Sequence, residues 1–204
     1  LGDEPAPLLV IGGIHGDEPT SATVAWRLLE RLRAAPHLRG GLSTAILPEA
    51  NPDGLLARTR TNAVRVDCNR NFPATNWSPT AVHRYHGGAQ PASEPETRAI
   101  MQAVSMLRPR AIISIHAIGG GREMNNYDGP GRWLAQVLHA HNGYPVSSSI
   151  GYPTPGSFGT WAGVDLGYPT VTLELPARAS ADEAWLQNET ALLTAIRSLP
   201  ALAE

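Results

Sequence analysis

The sequence predicts an α/β fold, a single domain over residues 1–204 with a mixed, mostly parallel, twisted sheet and helices on both of its faces. Three observations predict it. Near-continuous apolar runs alternate with stretches of helical spacing, the pattern of largely parallel strands buried on both faces by crossover helices. The chain has 204 residues, 42% of them hydrophobic, and at this size folding buries roughly 70% of the surface of the unfolded chain. No Pro/Gly/Ser linker, internal repeat or low-complexity segment divides it.

The elements follow in order. Leu8 to Ile14 reads as the first strand, and Thr20 to Ala34 as an amphipathic helix with Ala22, Ala25, Trp26, Leu29 and Leu32 on its apolar side. Thr44 to Leu47 is the second strand. Pro48 to Pro95 is poor in regular pattern and rich in Asn, Arg, Pro and Gly, and so long a loop in a compact domain points to function. Glu94 to Leu107 (Ile100, Val104, Leu107) is helical, Ala111 to His116 is the most apolar strand, and Arg132 to His141 (Trp133, Val137, Leu138) is helical again. Thr170 to Leu175 and Asp182 to Leu199 close the chain as strand and helix.

Several function classes are excluded by composition. The formal net charge is -2 with no basic run, so the electrostatic footprint of a nucleic-acid or membrane-surface binder is missing. No apolar stretch approaches the roughly 20 residues of a membrane helix. Small or peptide-like ligands are expected instead. One cysteine, Cys68, permits no intrachain disulfide and suits a reducing compartment; between Asp67 and Asn69 it fits a buried small residue. The expected location is the cytoplasm. A chain starting at Leu1 rather than Met carries the further expectation of a removed upstream segment, which would make the periplasm the alternative. The oligomeric state is left open.

In an open α/β sheet, ligands sit beyond the carboxyl ends of the strands, and four features lie there. The first is Gly12-Gly13-Ile14-His15-Gly16-Asp17-Glu18-Pro19. Asp17 or Glu18 could simply cap the helix that Pro19 opens; alternatively, His15 and Glu18 are half of a metal site, with Asp17 behind them. The second is Asn51-Pro52-Asp53-Gly54. The third is His116, at the end of its strand and before three glycines; alone it would be a core histidine. Together, two imidazoles and a carboxylate are the three-ligand set of a catalytic zinc that keeps one position open.

The fourth is Glu174, a charge in an apolar strand, which is costly to bury unless paired. Either it bridges to a buried arginine, or it is a general base that takes a proton from the attacking water and passes it to the leaving amine. Between these features, Arg58 to Pro73 carries Arg58, Arg60, Arg65 and Arg70 with Asn62, Asn69 and Asn71. An arginine fork grips a carboxylate or stabilises a tetrahedral oxyanion. Solvated loop arginine is the reading for Arg65 and is harder to hold for Asn69-Arg70-Asn71.

Taken together, HGDE (His15 to Glu18), NPDG (Asn51 to Gly54), DCNRNFP (Asp67 to Pro73), SIHA (Ser114 to Ala117) and TLELP (Thr172 to Pro176) resemble the ordered motifs of the zinc carboxypeptidase family of metallopeptidases, the funnelin type. The resemblance covers most of the chain. It implies that His15, Glu18 and His116 bind one Zn2+, that Glu174 is the general base, that Arg60 polarises the scissile carbonyl with Arg58 as competitor, and that Asn69 and Arg70 hold the substrate carboxylate. NYDGP (Asn126 to Pro130) and PGSFGTWAG (Pro155 to Gly163) look most like members that cut the γ-D-glutamyl to meso-diaminopimelate bond of murein peptides in cell-wall recycling. Met124 to Asn126 and Ser157 to Trp161 are candidates for lining the leaving-residue pocket.

Two departures accompany the resemblance. The mobile tyrosine of the digestive members has no counterpart at Thr160-Trp161-Ala162-Gly163, and the upstream strand is cut back to Leu1–Pro7, leaving an expected gap at the sheet edge. Two other functions share parts of the pattern. An N-acyl amino-acid deacylase of the succinylglutamate desuccinylase or aspartoacylase type has a similar metal set, and a non-catalytic peptide-binding module could occupy the same fold.

Overall fold

A computed structural model describes residues 8–199. The strands are β1 (Leu8–Ile11), β2 (Thr44–Leu47), β3 (Ala111–Ile118), β4 (Met124–Asp128), β5 (Val146–Ser147) and β6 (Thr170–Pro176). The helices are α1 (Pro19–Ala34), α2 (Pro52–Ala57), α3 (Pro95–Leu107), α4 (Arg132–Asn142) and α5 (Ala181–Ser198), with a π-helical segment at Gly159–Asp165. The expected incomplete edge at Leu1–Pro7 lies outside the described residues.

One sheet runs in the order β2-β1-β3-β6-β4-β5. All neighbouring pairs are parallel except β4 with β6, so the sheet is mixed as the sequence predicts. Side chains alternate between its two faces. Leu8 and Val10 of β1 pack with Val24, Leu28 and Leu32 of α1, Leu138 of α4 and Leu192 and Ile196 of α5. Leu9 and Ile11 face the other way, onto Ile100 and Val104 of α3 and onto Phe72, Phe158 and Trp161. Phe72 stacks on Trp161 with centroids 5.4 Å apart, so the segment 160–163 includes a core tryptophan.

Three expectations are corrected here. β1 ends at Ile11 rather than Ile14, because Gly12 and Gly13 turn the chain and Gly13 takes φ +67°, a conformation open to glycine. In α1 the expected Ala22, Ala25, Leu29 and Leu32 are buried together with Val24 and Leu28, whereas Trp26 is 40% exposed and donates to Glu49 Oε1 at 2.8 Å. The strands β4 and β5 were not legible, since β4 reads Met-Asn-Asn-Tyr-Asp and has no apolar alternation. Its fully buried Asn125 is satisfied instead by Asn142 Oδ1 at 3.1 Å and the Tyr144 carbonyl at 3.0 Å, which removes the cost of an unpaired amide.

The Pro48 to Pro95 stretch is an ordered loop around the short helix α2, and its asparagines act as fasteners. Asn51 accepts from Gly54 N at 2.9 Å and donates to the Ile14 carbonyl at 3.1 Å. Asn71 donates to the carbonyls of Gly87 and Gln90 and accepts from Glu94 N. These bonds replace a sheet ladder for a backbone that has none. Two of the motifs also touch. A Cβ on Gly16 would lie 1.9 Å from the Gly54 carbonyl carbon and oxygen, so HGDE and NPDG pack backbone to backbone.

Candidate active site

The site is built where β1, β3 and β6 end. Glu18 occupies the N-cap position of α1, yet its side chain makes no capping bond. It turns away from the helix, with Oε1 2.9 Å from His15 Nδ1 and Oε2 3.1 Å from His116 Nδ1. Capping therefore does not account for this acid. The Ala117 N–H, on β3, donates to Oε2 at 3.0 Å and fixes it. His15 and His116 are 2% and 3% exposed, with Nδ1 atoms only 3.1 Å apart.

His15, Glu18 and His116 each offer a ligand atom, all within 4.8 Å of one another. Two buried imidazole nitrogens directed at each other and at a carboxylate form the donor set that suits zinc. Burial depresses the His116 imidazole, helped by His15 and Arg60 despite the pull of Glu18, which favours the neutral, ligating form. Burial would raise the Glu18 carboxyl, but His15 and His116 hold it well below the usual range.

Asp67 is the residue that sequence reasoning missed. Asp17, expected behind the metal ligands, instead accepts from Arg84 at 2.8 Å toward the surface. Fully buried Asp67 takes the supporting place, with Oδ1 3.0 Å from His15 Nε2 and also accepting from Asn69 N at 3.0 Å. Its Oδ2 accepts from Arg60 Nε at 2.8 Å. Burial opposes ionisation of Asp67, yet His15, Arg60 and Arg70 together keep its pKa low. Only its place at the head of DCNRNFP could have pointed to it.

Arg60 also donates to Glu18 Oε1 at 3.2 Å, so its guanidinium reaches the ligand cluster. Arg58 is not brought in. It is exposed, caps α2 with φ 54°, and lines a neighbouring depression that shares Arg60 and Arg84 with the cavity of the ligand cluster. Of the two arginines, Arg60 and not Arg58 lines the cavity of the ligand cluster. Asn69 and Arg70 do line the cavity that holds the ligand cluster. Asn69 Oδ1 accepts from Phe158 N at 2.8 Å, which turns its amide nitrogen to be the available donor. Arg70 donates only to the Asn69 carbonyl at 2.7 Å among the described residues.

Glu174 stands on the same cavity, beside His116 in the β3–β6 register. It is 5% exposed, and no described residue donates to it or pairs with it, so the buried salt bridge is not what holds it. Burial first, and then the Glu18 charge, push its carboxyl up to about 8. The cavity measures about 330 Å³. Its outer wall includes Tyr152, whose phenol burial and the Glu174 charge both push up. A tyrosine is thus present at the site, although none lies at 160–163. Asn126, Ser157 and Gly159 line the cavity as expected for the leaving-residue pocket, whereas Met124, Asn125, Phe158, Thr160 and Trp161 do not.

Residues 3–128 match the family model for zinc carboxypeptidases. The chain belongs to the zinc carboxypeptidase family. As a member it is a hydrolytic enzyme of a family that uses zinc, and the matched span carries every residue of the ligand cluster. Among its relatives, murein peptide amidase A of Escherichia coli (strain K12) is 37% identical over 188 residues, covering 86% of this chain and 73% of that protein. Murein peptide amidase A of Vibrio campbellii is 30% identical over 180 residues, covering 82% and 68%.

Solved structures agree on the fold of this zinc carboxypeptidase. The murein-tripeptide amidase of Escherichia coli O157 superposes with a TM-score of 0.73 at 30% identity, over 97% of this chain and 83% of that one. Carboxypeptidase A of Helicoverpa armigera gives a TM-score of 0.81 at 20% identity, over 98% and 62%. That second likeness speaks for the fold alone.

Proposed function

We propose that this enzyme is a zinc-dependent amidase of murein peptides, cutting the γ-D-glutamyl to meso-diaminopimelate bond by promoted attack of water. The observation that carries the reading is the buried, partnerless Glu174 on one cavity with the His15, Glu18 and His116 cluster and the donors of Arg60, Asn69 and Arg70. The 37% identity to murein peptide amidase A supports the substrate class.

His15, Glu18 and His116 would hold one zinc ion per chain. When bound, that ion would supply Lewis acidity toward the scissile carbonyl and the attacking water. Asp67 keeps the His15 ring in one orientation and tautomer by occupying Nε2. Glu174, with a pKa drawn toward neutrality, takes the proton of the attacking water and delivers it to the leaving nitrogen. Arg60, whose guanidinium reaches the ligand cluster at Glu18 Oε1, would stabilise the charge that develops on the carbonyl oxygen. Asn69 and Arg70 grip the carboxylate of the leaving residue, which fixes the scissile bond against Glu174. The place of action we propose is the cytoplasm, in recycling of wall peptides, with the single cysteine of the chain as its support.

Zinc-loaded protein incubated with L-alanyl-γ-D-glutamyl-meso-diaminopimelate should release free diaminopimelate, and Glu174→Gln should bind zinc without releasing it. Cleavage of N-succinyl or N-acetyl amino acids in place of the murein peptide would make the enzyme a deacylase. A protein that takes up no zinc and cleaves none of them would be a binding module. A Glu174→Gln variant hydrolysing at the parent rate would sink the proton-transfer scheme.

A further inference from the structure

Tyr85 stands on the wall of the cavity, outside all five of the motifs that carry the family resemblance, and nothing in the hydrolytic scheme uses it. It is 43% exposed and belongs to neither hydrophobic core. Its backbone N–H donates to His83 Nδ1 at 2.9 Å, while its phenol hydroxyl has no partner among the described residues. A tyrosine kept for packing buries its ring, so packing does not account for this one.

The ring instead collects cations. The guanidinium carbons of Arg60, Arg70 and Arg84 stand over it, 5.0, 5.6 and 5.9 Å from its centroid, within the roughly 6 Å at which an aromatic face attracts a cation. Like charges gathered this closely repel one another, and the three differ in what else holds them. Arg60 donates to Asp67 Oδ2 at 2.8 Å and to Glu18 Oε1 at 3.2 Å. Arg84 pairs with Asp17 Oδ2 at 2.8 Å. Arg70 has no paired carboxylate among the described residues; it is 6% exposed and donates only to the Asn69 carbonyl at 2.7 Å. Burial pulls its pKa down, Asp67 opposes this, and Arg60 adds to the fall.

The backbone around Tyr85 is fastened to the segment that carries Arg70. The His86 carbonyl accepts from Asp67 N at 2.8 Å, and the Gly87 carbonyl accepts from Asn71 Nδ2 at 2.7 Å. A Cβ on Gly87 would lie 2.5 Å from the Arg70 carbonyl oxygen, so the two backbones touch. On the other side of Tyr85, the Arg84–Asp17 pair ties the loop to the turn that carries Glu18. The ring is thus held in place from both of its neighbours in the chain.

We propose that Tyr85 is a positioning residue, whose ring holds the buried guanidinium of Arg70 in place on the cavity wall beside Arg60. This rests on the reading in which Arg70 grips the carboxylate of the leaving residue and Arg60 serves the carbonyl. A ring face attracts a guanidinium without taking its N–H donors, which stay available to the substrate, whereas a paired acid would occupy them. Arg60 is oriented by two carboxylates and keeps its place without the ring; Arg70 depends on it. Tyr85 therefore acts on substrate affinity through Arg70 more than on the chemical step through Arg60.

Steady-state kinetics of zinc-loaded enzyme on L-alanyl-γ-D-glutamyl-meso-diaminopimelate test it. Tyr85→Leu should lower kcat/KM by about 5- to 30-fold, the scale of one desolvated or two exposed cation–π contacts, with most of the loss in KM. Tyr85→Phe, which keeps the ring, should stay within about twofold of the parent. Phenylalanines carrying one, two and three ring fluorines at position 85 should lower kcat/KM stepwise, because fluorine withdraws charge from the ring face and scarcely changes its size. This series, isosteric with Tyr85→Phe, carries the test if Tyr85→Leu does not fold. A flat series overturns the proposal, as does a Tyr85→Leu loss carried by kcat alone. A parent that cleaves N-succinyl or N-acetyl amino acids in place of the peptide overturns the murein reading alone, and the same series read on that substrate tests Tyr85. A parent inactive on all of them overturns the carboxylate grip and the role of Tyr85 with it.

Discussion

Asp67 holds the imidazole of His15 from behind. Its Oδ1 lies 3.0 Å from Nε2, while Nδ1 of the same ring lies 2.9 Å from Glu18. The ring is thereby committed, one nitrogen to support and the other to the ligand cluster. Because the second oxygen of Asp67 takes Arg60 Nε at 2.8 Å, a single carboxylate sets the positions of a candidate metal ligand and of the arginine we propose for the oxyanion. Asp67→Asn should weaken zinc binding by about 10- to 100-fold, the usual cost of losing such a supporting carboxylate. Competition with a zinc-binding dye measures this, and an unchanged affinity would show that the His15 ring is oriented by packing alone.

The two nearby arginines should separate cleanly. Arg60→Ala should lower kcat by about 10²–10³, as for loss of one oxyanion donor, with zinc content retained. Arg58→Ala, at an exposed position outside the cavity, should leave kcat unchanged and shift stability by less than about 0.5 kcal/mol. Steady-state kinetics on the murein peptide compares them directly. Equal effects would return Arg58 to the site.

Gly16→Ala tests the contact that brings the first two motifs together. Its Cβ would meet the Gly54 carbonyl at 1.9 Å, and backbone cannot swing away as a side chain can. Overpacking of this kind costs about 1–3 kcal/mol, and at about 2–4 °C per kcal/mol the melting temperature should fall by several degrees. Thermal unfolding of zinc-loaded protein measures the loss. A variant melting with the parent would mean that the two turns part without cost.

Metal removal should destabilise the fold, because a ligand bound only by the native state adds about 4 kcal/mol at a thousand times its dissociation constant. Chelation should lower the melting temperature and zinc should restore it. The metal-free form should also show a pH signature. Glu174 has a folded pKa of about 8 against an ordinary 4.5, so its contribution to stability is complete below about 4.5 and lost as the pH rises through about 8. Metal-free Glu174→Gln should therefore lose less melting temperature than the parent between pH 6 and pH 8. Parallel curves would place the Glu174 pKa near its ordinary value.

The candidate metal ligands were legible because their chemistry is uncommon in that setting. A histidine ending an apolar strand, an acid inside another, and a histidine and glutamate on a glycine turn all need a reason, and few reasons serve all of them. Asp67 was not legible, since an aspartate opening a loop turn has an ordinary explanation in the bond its side chain makes to Asn69 N. The choice of Arg60 over Arg58 was equally hidden. Both stand in one loop, and only the left-handed turn at Arg58 aims one outward and the other at Asp67.

What the sequence by itself determined is the set of strands and helices whose side chains repeat with the period of the element, the parallel core of the sheet, and the choice of His15, Glu18 and His116 as candidate ligands and of Glu174 as candidate base. Periodicity and unpaired charge are local properties, and a chain displays them without folding. The tertiary structure alone decided what depends on distant segments meeting. It paired polar β4 with β6, satisfied Asn125 from α4 and the loop after it, packed Gly16 on Gly54, and set Arg70 over the ring of Tyr85. Those relationships arise from register and close approach, and neither is written in the spacing of any one segment.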